Sequence, residues 1–165
     1  MKWVLTTIMM SFITITFWLW QTDGTVALLA NERLKNGINR AAHDASLQVD
    51  KGQLVYGKVI FDTTASLAAF KKTLADNLLL DNQLKPLPNT LFTQPITITY
   101  MDFIDDLDGV TYPYLYENPM YGISKIIKGP AVVFAIETDK PRPFNISDDY
   151  MMVKWAVFEY PLPKL

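Results

Sequence analysis

The chain has no cysteine and a single histidine among its 165 residues. The first absence excludes disulfides, a thiol nucleophile, thiolate ligands for zinc and a lipidated N-terminal cysteine. The second leaves His43 without another imidazole to complete a zinc site, so it reads as an exposed helical side chain beside Asp44. Glycine is sparse, and none of it forms a phosphate-cradling loop or a Gly-x-Ser-x-Gly nucleophile elbow. Lys and Arg (15) do not outnumber Asp and Glu (17), and a net charge of −2 offers no basic stripe to a nucleic acid. Internal repeats and low-complexity tracts are absent as well. No catalytic and no cofactor-binding residue is assigned, and the expectation is a protein that is not an enzyme.

The most telling absence is local. From Trp3 to Gln21 there is no charge, and from Trp3 to Trp20 there is also no Gly or Pro. As an α-helix those eighteen residues measure about 27 Å at roughly 1.5 Å per residue, close to the ~30 Å hydrocarbon core of a bilayer. Trp3 at one end, Trp18 and Trp20 at the other, and the snorkelling stem of Lys2 suit the two interfaces. Residues 1–21 are therefore expected to form a transmembrane anchor, with Trp3–Trp20 as the membrane contact. A cleaved secretory signal is the rival, with small residues at Thr25-Val26-Ala27, but the apolar segment exceeds the usual signal length. Arg33, Lys35 and Arg40 oppose Lys2 in setting the orientation. A first apolar segment with almost nothing before it still favours a cell-membrane, single-pass protein whose C-terminal domain lies outside the cytoplasm.

Half of all residues are apolar and 13 % aromatic, so the chain beyond the anchor should fold around one core. Residues 22–49 read as an amphipathic helix or stalk, with Ala27, Leu34, Ile38, Ala41, Ala45 and Val49 at helical spacing. That stripe suits the domain's own sheet. Its small residues would equally let a neighbouring subunit's helix approach closely, so Leu34, Ile38, Ala41 and Ala45 are candidate interaction residues.

Residues 50–165 read as a small α+β domain. Asp50–Gln53 is a turn, Leu54–Phe61 a strand, and a helix capped by Asp62, Thr63 or Thr64 runs to about Leu80 with Leu67, Phe70, Leu74 and Leu78 on one face. Residues 81–95, with three prolines, form a loop. Ile96–Tyr100, Ala131–Ile136 and Tyr150–Tyr160 are further strands, the last with Met151, Val153, Trp155 and Val157 on one face. The expected fold is a mainly antiparallel sheet of about four strands with one further helix, the helices on one face.

Two segments invite a functional reading. Asp102, Asp105, Asp106 and Asp108 gather four carboxylates before Gly109. An EF-hand frame would put Ile104 at its first position and Leu115 where a bidentate Glu belongs, so no metal is assigned and a solvated acidic turn is expected. Thr111–Gly122 carries Tyr112, Tyr114, Tyr116 and Tyr121 with two prolines. It reads as a long loop, either pinned by its own aromatic packing or offering tyrosines to a partner protein, glycan or headgroup. Asn145-Ile-Ser147 matches a glycosylation sequon, a short pattern that recurs by chance.

An apolar N-terminal helix running into Leu34-Lys-Asn-Gly-Ile-Asn-Arg-Ala-Ala-His-Asp-Ala45 and then a small α+β domain resembles the pilin-like proteins of bacterial pili and secretion systems. Among these it is most similar to the small TadE/TadG-like proteins of tight-adherence pili. The resemblance implies a membrane-held envelope component that acts through helix packing and self-association or protein partners, with no cofactor. The Gly and the downstream Glu of a prepilin are missing around the apolar run, so processing by a prepilin peptidase is not expected. The function expected first is thus a component of a pilus-like or secretion assembly. The alternative is an anchored extracytoplasmic binding module using the tyrosine-rich loop.

Overall fold

The computed structural model describes residues 2–161, so Met1 of the expected anchor and the last four residues of the domain lie outside the described residues. Helix α1 (Lys2–Ser46) is continuous over 45 residues. No proline interrupts it, and the threonines of its first half bond back to its own backbone. The hydroxyls of Thr6, Thr7, Thr14 and Thr16 donate to the carbonyls of Lys2, Trp3, Met10 and Phe12 at 2.8–3.0 Å, the local bond a threonine makes when no other partner is at hand. The second half, from Asp23 onward, carries the buried stripe.

Asp50 caps the single turn α2 (Lys51–Leu54), its carboxylate accepting from the N–H of Gly52 at 2.7 Å. The strand expected at Leu54–Phe61 does not form. Val55 and Tyr56 are about four-fifths exposed, Gly57 turns the chain at φ 75, and only a single bridge joins Phe61 to Val49. Side chains take the place of a neighbouring strand: the N–H groups of Val59 and Phe61 donate to Asp106 and Asp105 at 2.7 and 3.2 Å. Helix α3 (Thr63–Leu78) is capped by Asp62, which accepts from Ala65 N–H at 2.9 Å, and it ends where Leu79 turns left-handed. It buries Phe70, Leu74 and Leu78, as its spacing predicts.

The strands are β1 (Thr97–Ile104), β2 (Tyr114–Asn118), β3 (Ile123–Ile127), β4 (Ala131–Asp139) and β5 (Met151–Glu159). They make an antiparallel sheet in the order β1-β4-β5 and a separate β2-β3 hairpin, so the described residues hold five strands. Segment 111–122 is accordingly no long loop: it supplies β2 and the 3-10 turn Pro119–Tyr121 of that hairpin.

Three layers result. Helices α1 and α3 cover one face of the sheet, where Val132, Phe134 and Ile136 of β4 meet Leu34, Ile38 and Phe70. The hairpin covers the other, where Ala131 and Val133 meet Tyr116, Ile123 and Ile127. Strand β4 is therefore apolar on both sides, which explains its continuous rather than alternating pattern. Strand β5 departs from expectation at its start. Met151 and Val153 face solvent while Met152 and Ala156 enter the helix side, and only Trp155 and Val157 pack toward the hairpin.

Helices α1 and α3 approach closely because α1 is small where they meet. A Cβ on Gly37 would stand 2.9 Å from Leu78 Cδ2 and 3.0 Å from its Cγ, and the buried Ser66 hydroxyl donates to the Ala45 carbonyl at 2.8 Å. Gly37→Val should lower stability by about 1–3 kcal/mol through overpacking. Gly24→Ala, with open space around its Cβ, should be neutral or stabilising by up to about 1 kcal/mol. Chemical denaturation of the full chain in detergent, followed by Trp fluorescence, measures both.

Candidate functional site

Leu34, Ile38, Ala41 and Ala45 have no exposed surface and belong to the chain's own core against α3 and the sheet. This burial corrects their candidacy as a partner interface. Small side chains do admit a second helix, and that helix is α3 of the same chain.

The four aspartates of the acidic turn do not converge. Asp102 Oδ2 accepts from the hydroxyls of Tyr116 and Tyr100 at 2.8 and 3.0 Å. Asp105 accepts from the N–H groups of Phe61 and Leu107, Asp106 from Val59, and Asp108 from Asp105, all within 2.7–3.2 Å. Each carboxylate thus has a local backbone or phenol partner, and among the described residues no three acidic, His or Cys side chains are grouped as a metal would require. Asp105 and Asp106 stitch segment 59–61 to the start of the 105–109 turn.

The tyrosines mostly face inward. Tyr116 is buried and Tyr112 and Tyr121 are half-buried over the hairpin-side core. Tyr121 donates to the Thr99 carbonyl at 3.0 Å, and of these four only Tyr114, at 39 %, is exposed. The Tyr100 and Tyr116 hydroxyls lie 2.8 Å apart over Asp102. Burial, then the hydrogen bonds to Tyr100 and Asp102, push the Tyr116 phenol far up. Burial and the nearby Asp106, Asp105 and Asp108 push Tyr112 up to about 12. Both phenols stay protonated at neutral pH and do not suit proton transfer; Tyr116 is a fixed donor to Asp102, while the buried Tyr112 hydroxyl has no hydrogen-bond partner among the described residues.

His43 Nδ1 sits 3.2 Å from Asp44 Oδ1, and Thr73 donates to Asp44 Oδ2 at 2.6 Å. The Thr73 bond, outweighing desolvation and aided by His43, holds the Asp44 carboxyl below its usual range. The carboxylate lies between hydroxyl and imidazole, so the imidazole has no nucleophile to deprotonate, unlike a hydrolytic triad.

Two features escape a reading of the sequence. One is the edge of β5, where Lys35 of α1 and Lys125 of β3 donate to the outward carbonyls of Trp155 and Val157, each at 2.7 Å. Burial, then the charges of Lys154 and Lys125, hold the Lys35 pKa below that of a free lysine. Two ammonium groups occupying edge carbonyls are a device that blocks pairing with a foreign strand.

The other is Asp23. It has no exposed surface, and its carboxylate accepts from the N–H groups of Phe144, Ile146 and Ser147 at 2.9, 3.0 and 3.2 Å. Desolvation raises its pKa, but the three backbone donors outweigh it and the net direction is down from 3.8. The signal in the sequence is the lone acid just past the apolar run. Its partners, more than a hundred residues on, are not legible there.

No family model, no curated protein and no solved structure matches the chain. The outstanding feature is then α1 itself. It is long and apolar enough to cross a membrane, and no residue of its apolar stretch is buried by the rest of the chain.

A depressed carboxyl pKa stabilises the fold above the unfolded value and loses that effect as pH falls through the folded one. Protection of the amides of Phe144, Ile146 and Ser147, corrected for intrinsic exchange, should therefore hold from neutral pH to about 4 and fall at lower pH. Asp23→Asn, which presents an NH2 group to some of these donors, should speed their exchange at neutral pH by about tenfold or more. Hydrogen exchange read by NMR checks both.

Proposed function

We propose that the chain is a non-enzymatic, single-pass membrane protein, its α+β domain outside the cytoplasm, acting as a component of a pilus-like or secretion assembly. The observation that carries this reading is α1: an exposed apolar half and a half that is the buried core helix of the domain, with no break between them. An exposed run that includes Trp3, Phe12, Phe17 and Trp18 is untenable in water and suited to lipid, where a helix satisfies its backbone internally. Removal of the segment by cleavage after Ala27 would take away Asp23 and the three hydrogen bonds it accepts. That cost supports an anchor that is retained. The likeness to TadE/TadG-like proteins in Trp3–Trp20 and Leu34–Ala45 supplies the assembly context.

With the small-residue stripe occupied by α3, self-association falls to the lipid-facing surface of the apolar half. The back-bonded threonines mean that helices there meet through packing more than through interhelical hydrogen bonds. A photo-crosslinking residue at Ile8 or Ile15, both exposed, should give adducts in native membranes with further copies of the chain or with other single-pass pilin-like proteins. Monomer alone at both positions, with the protein present and folded, would remove the assembly reading.

A further inference from the structure

In the 141–150 loop Phe144 and Ile146 are only partly covered by the chain, and the loop's position along α1 says what completes their cover. Asp23, which holds the loop by three backbone bonds, lies three residues beyond Trp20, about 4.5 Å along the helix at ~1.5 Å per residue. Leu19, one turn before Asp23 on the same helix face, is half-buried while its neighbours Trp18 and Trp20 are exposed. The covering of that face thus extends back into the apolar run. Phe144 and Ile146 nevertheless remain 44 % and 42 % exposed.

We propose that this loop is a second lipid contact: Phe144 and Ile146 enter the headgroup–acyl boundary of the bilayer that surrounds α1, and so set the height and tilt of the domain. The proposal rests on the reading of α1 as an anchor. The loop is built for such a site in two respects. Its tip, Phe144-Asn145-Ile146, is uncharged, and the N–H groups of Phe144, Ile146 and Ser147 are already taken by Asp23, so entry into a low-dielectric zone strands none of these donors. Of the flanking charges, Arg142 pairs with Asp149 at 2.8 Å and Lys140 donates to the Asp148 carbonyl at 2.9 Å. A pair of apolar side chains dipping a few ångströms into the boundary region is the mode by which interfacial segments bind membranes.

The absence of cysteine makes the test direct. Full-length Phe144→Cys, Ile146→Cys, Phe12→Cys and Val55→Cys are each labelled with a fluorophore and placed in phosphatidylcholine vesicles containing lipid with a nitroxide near the headgroup or, for the label at 12, deep in the acyl chain. Val55 lies beyond the far end of α1 and serves as the reference. Labels at 144 and 146 should be quenched at least about twofold more than the label at 55. Adding Asp23→Ala should bring the 144 signal toward that at 55 and leave the label at 12 unchanged. Quenching at 144 and 146 no greater than at 55, with strong quenching at 12, overturns the loop contact and leaves the anchor standing. Absence of quenching at 12 as well overturns the anchor and the loop contact together.

Discussion

One helix carries two kinds of surface. Its first half exposes an apolar surface all round, while its second half is apolar along one stripe and polar elsewhere, and the backbone runs through both without a break. The rest of the fold is arranged on that second half. Gly37, Ala41 and Ala45 admit α3, Leu34 and Ile38 meet β4, and Lys35 on the flank of the stripe reaches the edge of β5. A domain built this way cannot turn freely about a linker, because the segment leaving the apolar half is already the domain's core helix.

A chain without disulfides has to hold its irregular segments by other means, and here carboxylates serve repeatedly. Asp23 fastens the 144–147 loop, Asp105 and Asp106 fasten 59–61, and Asp81 accepts from Gln83 and Lys85 at 2.8 and 2.9 Å within the proline-rich loop. Charge-assisted bonds to backbone N–H groups are among the stronger ones available to a loop. This accounts for the acidic turn more simply than a cation does.

The apolar run, α3 with its Asp62 cap, the buried central strand and the α+β class were legible because each depends on local spacing. The misread segments share a cause. Leu54–Phe61 has the β-branched and aromatic composition of a strand, yet its ladder partner would have had to come from elsewhere, and side chains of Asp105 and Asp106 occupy that role instead. Thr111–Gly122 looked like a loop because of its prolines, whereas pairing of Leu115 with Ile126 and of Tyr116 with Lys125 makes it a hairpin. The Ala41 and Ala45 stripe announced a close helix neighbour without saying whose. Asp23 and Lys125 act at separations of 121 and 32 residues, beyond the reach of any periodicity.

The most direct test of a helix shared between bilayer and core is amide hydrogen exchange along α1 with the full chain in lipid nanodiscs. Continuity predicts slow exchange from the apolar run through Gln21–Gly24 and on to Ala45, with no fast residues at the junction. Rapid exchange confined to residues 21–25, between two protected halves, would mean a flexible tether and would contradict a shared helix.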